Sequence, residues 1–316
     1  MGSIQFALIA ALLAKCGAPL RTQQGETQAG VYRVNVRVEV VDAQVVNKKT
    51  GHAIRDLNRE DFQVYEDNVQ QQITSFSQDE LPLSVVLLFD LTDSVRPVLK
   101  SLGEGALAAL QHLKPKDEVA VMTYAASTQL IQDFTTDREL AARAVVKASG
   151  MQSGEAAFFN EGVYQAGAQL SLAENPGSRR VIIWLTDDVP NFPSEEVRAR
   201  YGRSLGQARL HTEKEALTEL LQTGTTVYTL LQHSEISDEQ SAYRLSNLFE
   251  TKVAAMQNPP GDVYKYAKTS GGHVVEFDRK HAEKKLTELI DDVRMRYSLG
   301  YHPSAPKAAG KFCSIK

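Results

Sequence analysis

Ser84-Val-Val-Leu-Leu-Phe-Asp90-Leu-Thr92-Asp-Ser94 is the stretch on which the reading of this chain turns. Val85 to Phe89 is a continuous apolar run of strand length, the pattern of a strand covered on both faces. It stops on an aspartate, and hydroxyls follow at alternate positions, Thr92 and Ser94, so several oxygens leave the strand on one short loop. Oxygen ligands suit a hard divalent cation, and magnesium keeps some of its waters when so held. Alone the spacing is weak, because a strand ending in Asp and Ser is often only a helix N-cap. Its meaning comes from a second apolar run further on, Val181-Ile-Ile-Trp-Leu185, which ends on Thr186-Asp187-Asp188. Open α/β sheets bind ligands at the carboxyl ends of their strands.

Working outward, strands are expected at 84–90, 118–124, 181–187, 226–231 and 273–277. Helices are expected near 97–113, 138–148, 159–174, 209–223, 262–269 and 280–295. The alternation argues an α/β fold, a doubly wound and mostly parallel sheet, over residues 80–303. Gly224 suits the residue just past the fourth helix. His233 to Pro260 is a polar excursion with a helix expected at 238–250. Ahead of this domain, Val34, Val36, Val38 and Val40 alternate with polar residues, the period of a half-buried strand. Gln63 to Glu66 and Gln72 to Ser77 read as two more strands around an Asp67-Asn68 turn, after a helical turn at 57–62. Residues 31–79 thus form a small β-rich unit, or else extend the sheet of the next domain.

The chain has 316 residues, 42% of them apolar and 23% charged, enough to bury a sizeable core. A net charge of −4 with no Lys/Arg-rich block argues against nucleic acid as a partner. Two cysteines, Cys16 and Cys313, rule out a disulfide framework or a cysteine-rich zinc site. Ile4 to Ala14 is uninterrupted apolar sequence, the length of a signal-peptide core and short for a bilayer span. Residues 1–24 therefore read as a signal peptide or anchor, although no Lys or Arg precedes the apolar run, and the expected location is secreted or periplasmic, at the cell envelope. The seven histidines show no metal-ligand spacing. Trp184 reads as core, Lys280 to Arg296 as an amphipathic surface helix, and Arg179-Arg180 as a solvated pair that could touch an anionic partner.

On these residues the sequence resembles a von Willebrand factor type A domain, whose metal-ion-dependent adhesion site reads Asp-x-Ser-x-Ser, then a Thr, then the Asp of Thr-Asp-Gly. Asp90, Thr92 and Ser94 match the first element, with Thr for the first Ser, and Asp187 matches the last. The middle element departs. Where the family has Gly-Gly-Thr-Ala-Leu-Tyr-Asp, this chain reads Ser153-Gly-Glu155-Ala156-Ala-Phe-Phe-Asn160, which puts Ala156 at the metal-coordinating Thr. Asp56 to Asp67, Ile73 to Ser77, Leu81 to Val85 and Tyr297 to Tyr301 are further similar to a VWFA-related family described mainly from Acidobacteria. Members of that family continue past Gly310-Lys-Phe into a final β segment, so 304–316 is expected to be a truncated C-terminal segment.

The resemblance implies a non-enzymatic binding or adhesion module. Its cofactor would be magnesium, or manganese or calcium, held by Asp90, Thr92, Ser94 and Asp187 with Glu155 reaching in for the hydroxyl that Ala156 lacks. A degenerate, metal-free site is the other state it leaves open. The implied partner is a protein offering an acidic side chain. The competing class is a magnesium-dependent phosphohydrolase of the haloacid-dehalogenase type, which also puts a nucleophilic Asp at the end of the first strand. That chemistry wants Asp-x-Asp, and position 92 is threonine. No Gly-x-x-x-x-Gly-Lys, Gly-x-Gly-x-x-Gly or Gly-x-Ser-x-Gly supports other catalysis.

Overall fold

The structure, a computed structural model, describes residues 38–45, 47, 54–78, 81–92, 94–151, 158–175, 177–187, 211–232, 262–276, 281–304 and 314–316. The expectations for residues 1–24, for Glu155, Ala156 and Asp188, and for a helix at 238–250 lie outside these residues.

The alternating N-terminal pattern ends in β1 (Glu39–Ala43). β2 (Val64–Glu66) and β3 (Val69–Gln71) make a hairpin, followed by β4 (Ile73–Ser77). Asp67 and Asn68 at the hairpin tip have φ of 48° and 68°, the paired positive values of a type I′ turn, which Asp and Asn tolerate better than most residues. Next come β5 (Leu83–Asp90), α1 (Arg96–Leu110), β6 (Glu118–Tyr124), β7 (Thr128–Thr135), α2 (Arg138–Ser149), α3 (Phe159–Ser171) and β8 (Arg179–Thr186). The chain continues through α4 (Glu213–Thr223), β9 (Thr226–Leu231), α5 (Val263–Ser270), β10 (Val274–Glu276), α6 (Ala282–Arg294) and β11 (Tyr297–Tyr301). Gly224 has φ of 65° and donates its N–H to Leu220 O, the left-handed stop expected there.

Six strands form the main sheet in the order β10-β9-β8-β5-β6-β7, parallel throughout except for β7, which runs antiparallel to β6. Every residue of β5 is buried, and its side chains divide by parity. Val85, Leu87 and Phe89 pack with Leu102 of α1, Val145 of α2 and Leu286 of α6. Val86 and Leu88 pack on the other face with Val163 of α3, Leu220 of α4 and Tyr266 of α5. Two cores on one sheet explain why the central strands are apolar without alternation. The chain leaves β5 for β6 on one side and later returns to β8 on the other, so strand order reverses between β5 and β8. Crevices at such reversals, at the carboxyl ends of strands, are where ligands bind in these sheets.

A separate three-stranded sheet has the order β1-β11-β4, both pairings antiparallel. The strand from the end of the chain thus lies between two strands of the 38–78 region, and Ser314 to Lys316 pair with β2 through Tyr65 and Asp67. β1 alternates as expected, but with the opposite face inward. Val38 and Val40 are 49% and 63% exposed, while Val41 and Ala43 pack beside the buried Val64, Ile73, Leu299 and Tyr301. Pairing fixes this: Val41 stands opposite Leu299, and a one-residue change in register would exchange the faces.

At the start of β5 a buried ion pair ties the sheet to α6. Asp117 accepts from Leu83 N at 2.9 Å, from Lys114 N at 2.6 Å and from the Arg294 guanidinium. Asp117 has no exposed surface and Arg294 is 5% exposed. Removing one partner strands the other charge in the core. Asp117→Ala is therefore expected to cost about 3–5 kcal/mol, measured by urea unfolding; a loss under about 1 kcal/mol, typical of exposed pairs, would refute the assignment.

Candidate metal site

β5 and β8 are neighbours in parallel register, with Phe89 opposite Leu185. The strands therefore run out together, and Asp90 meets the Thr186-Asp187 end at the reversal point. Thr186 Oγ1 donates to Asp90 Oδ2 at 2.7 Å. Beyond Asp90 the chain turns tightly, with Val95 N bonded to Thr92 O, and enters α1 at Arg96-Pro97. Thr92 N donates to Asp90 Oδ1 at 2.9 Å. The turn brings Thr92 Oγ1 to 3.0 Å from Ser94 Oγ, and Ser94 Oγ donates to Asp187 Oδ1 at 3.2 Å. A hydroxyl has one proton. Either hydroxyl can donate in the Thr92–Ser94 contact, and both oxygens keep lone pairs as acceptors. Asp90, Thr92, Ser94 and Asp187 are at most 3% exposed.

Two aromatic residues support this cluster from beneath. Tyr124, at the end of β6, donates its hydroxyl proton to Asp90 Oδ2 at 2.8 Å and accepts from Trp184 Nε1 at 2.9 Å. Tyr124, Phe159 and Trp184 pack edge to face. α3 can approach them because position 162 is glycine: a Cβ there would lie 2.8 Å from the Tyr124 ring. Trp184 is fully buried, as its apolar strand implies, yet its indole N–H also serves the polar cluster. Neither Tyr124 nor Thr186 is legible as part of the site from motif spacing. The signal that could have found them is their position: each ends a strand that flanks Asp90.

Burial pushes the Asp90 carboxyl above its ordinary value of 3.8, opposed by hydrogen bonds from Thr92, Thr186 and Tyr124. Burial, and then the charge of Asp90, push the Tyr124 hydroxyl well above its ordinary value of 10.0, so it remains a donor at neutral pH. A carboxylate offers about four acceptor directions, and the Thr92 N–H and the Thr186 and Tyr124 hydroxyls take up most of those of Asp90.

Of the sequence-expected ligands, Asp90, Thr92, Ser94 and Asp187 converge within hydrogen-bond reach. Glu155 and Ala156 fall outside the described residues. Asn160, aligned with the acid that closes the family's middle motif, is buried and accepts from Tyr266 OH at 2.8 Å. The donor set is two hydroxyls and two carboxylates, all hard oxygens, which fits magnesium or manganese rather than a soft metal. Among the described residues no group of three or more His, Cys, Asp or Glu is placed to hold a metal, and no helix is long and apolar enough to cross a membrane.

No protein-family model and no curated protein matches this chain. Solved structures are similar to it at low identity. The conserved hypothetical protein BatB from Bacteroides thetaiotaomicron is 14% identical with a TM-score of 0.43, over 67% of this chain and 99% of its own. A von Willebrand factor type A structure from Catenulispora acidiphila is 14% identical with a TM-score of 0.45, over 73% of this chain and 52% of its own. The manganese-loaded TRAP protein of Plasmodium vivax is 12% identical with a TM-score of 0.43, over 81% and 82%.

Tyr124→Phe removes a donor from Asp90 and the acceptor of the Trp184 N–H. It is expected to cost about 1–3 kcal/mol at neutral pH and less in acid, where Asp90 carries a proton; urea titrations at the two pH values check this. A carboxylate raised above 3.8 holds its proton longer in the folded chain than in the unfolded one. Its contribution to stability is thus complete below 3.8 and is lost as pH rises through the folded value. In metal-free buffer, wild type should therefore lose stability relative to Asp90→Asn across that interval. Parallel pH profiles for the two proteins would contradict the raised value.

Proposed function

We propose that this chain is a non-enzymatic protein-binding module that works through a divalent cation held at the rim formed by Asp90, Thr92, Ser94 and Asp187. The observation that carries the reading is the Ser94 to Asp187 contact, 3.2 Å across 93 positions of sequence, beside a buried Asp90. Four hard oxygens from two separate loops at a strand-order reversal suit a hard divalent cation, which supports the reading.

In this reading Ser94, Thr92 and Asp187 ligate. Asp90, already held by donors from its loop, β6 and β8, contributes chiefly its charge. Glu155 is the further ligand that this reading assigns. When bound, the cation supplies an open coordination position and positive charge for an acidic side chain of a protein partner. The chain's own residues orient the ligands: Tyr124 and Thr186 pin Asp90 Oδ2, and Ser94 pins Asp187. Thr92 stands where a phosphohydrolase of the competing class needs its second carboxylate, and its hydroxyl is bonded to Ser94; this favours binding over catalysis. Residues 31–79 serve as a spacer or second contact surface, and the module acts outside the cytoplasm, at the envelope or secreted.

Magnesium or manganese at tenfold excess over its Kd is expected to raise the Tm of chelator-treated wild type by roughly 3–6 °C. The rise should be absent in Asp187→Ala and smaller in Ser94→Ala, and Ala156→Thr should tighten the response. Equal shifts in wild type and Asp187→Ala would defeat the proposal. So would magnesium-dependent turnover of a generic phosphomonoester that Asp90→Asn abolishes.

A further inference from the structure

Arg179, Arg180 and Arg296 meet at the amino-terminal edge of the main sheet, the end opposite Asp90. Arg179 and Arg180 open β8, and Arg296 lies between α6 and β11. Each guanidinium reaches the carbonyl end of a different helix. Arg179 Nη1 donates to Arg294 O of α6 at 2.7 Å, Arg180 Nη1 to Thr223 O of α4 at 2.8 Å, and Arg296 Nη2 to Gly271 O just past α5 at 3.0 Å. Cations there satisfy orphan carbonyls and complement the negative ends of the helix dipoles. The pair expected to be solvated is thus drawn inward: Arg179 is only 6% exposed.

Capping does not use every donor. A guanidinium has five N–H groups. Arg296 is also 6% exposed, and beyond Gly271 O its partners are the hydroxyls of Thr226 and Tyr228. Its Nε is buried without a hydrogen-bond partner. Arg179 is more fully engaged: Nη2 donates to Arg296 O at 3.3 Å, and Nε lies 3.5 Å from Asp42 Oδ2 as an ion pair. Arg180 has most of its fork uncommitted. The three arginines line a cavity of about 180 Å³, and Asp42 is the one carboxylate among its described lining residues. Burial, and the neighbouring charge of Arg296, weaken the hold of Arg179 on its proton, with Asp42 opposing them. Like charges lining one cavity are relieved by an anion that shares their donors. At roughly 30 Å³ per water, the space exceeds what one or two bridging waters would fill.

We propose that this cavity binds a small tetrahedral oxyanion of the phosphate or sulfate class, gripped by Arg180 and Arg296, with Arg179 kept in place by Asp42 and the end of α6. The site is separate from the Asp90 rim and does not depend on what that rim binds.

Inorganic phosphate and sulfate are titrated into full-length protein in metal-free buffer, with chloride at matched ionic strength as the control. Binding is followed by calorimetry and by Tm. Expected are saturable heats for phosphate and sulfate, and a Tm rise of roughly 3–6 °C at tenfold excess over Kd that chloride does not give. Arg180→Ala removes one capping bond at a half-buried position and should fold; it should weaken phosphate at least tenfold, with Arg180→Lys in between. Absence of saturable heat, a chloride response equal to that of phosphate, or wild-type affinity in Arg180→Ala would each overturn the proposal. Arg296→Gln, where it folds, should abolish binding, and retention of wild-type affinity there would overturn it too.

Discussion

A carboxylate with no exposed surface at the end of a central strand is the constraint around which the rest of the molecule is arranged. Asp90 is costly to bury as an anion and must be met by donors, by a proton or by a cation. The fold supplies donors from three directions: a backbone N–H from its own loop, a hydroxyl from β8 and a hydroxyl from β6. The two hydroxyls depend on the parallel register of β5 with its two neighbours, so the placement of one side chain constrains three strands. Trp184 extends the dependence into the core on the α3 face, because its N–H fixes the Tyr124 hydroxyl that fixes Asp90. Loss of the glycine at 162 would reach the site by the same route.

Charged residues are buried at both ends of the sheet, and helix dipoles help to place those that meet helix ends. In a parallel α/β layer a helix that follows a parallel strand begins near the carboxyl ends of the strands and finishes near their amino ends; α2, which follows the antiparallel β7, is the exception. Helix N-termini carry partial positive charge and C-termini partial negative charge. Asp90 and Asp187 sit at the first end. Arg179, Arg180 and Arg296 sit at the second, each bonded to the carbonyls of a different helix. Charged residues that alternation alone would leave in solvent are thereby drawn inward, because the backbone they meet is polarised to receive them.

What the sequence disclosed follows from the range of the forces involved. The central strands and their helices were legible to within a few residues, because Val85 to Phe89 and Val181 to Leu185 announce burial on both faces without reference to anything else. That Asp90, Thr92, Ser94 and Asp187 would converge could be anticipated, because the position of an acid at a strand end is a local property. β7 was missed: it is a half-exposed edge strand whose Gln129, Gln132 and Asp133 dilute any apolar period. β11 was missed as well, although its motif was noticed, since its role comes from pairing with β1 and β4 far back in the chain. The inward face of β1 was misjudged for the same reason, register being a property of the partner strand.

Buried hydrogen-bonding groups were the hardest to read, and three whose roles went unread share one feature. Tyr124, Trp184 and Arg179 each look ordinary in their own segments: two aromatics in apolar strands and a basic residue at a strand start. Their partners lie 34, 60 and 115 positions away. A hydrogen bond needs its donor and acceptor placed to within a few tenths of an ångström, whereas burial of an apolar side chain needs only an apolar neighbour of roughly the right size. Sequence patterns carry the second requirement and not the first. In a layered α/β chain, the polar groups that define a site are therefore recovered by asking which strand ends become neighbours in the sheet, since that adjacency brings Tyr124, Asp90 and Thr186 to one point.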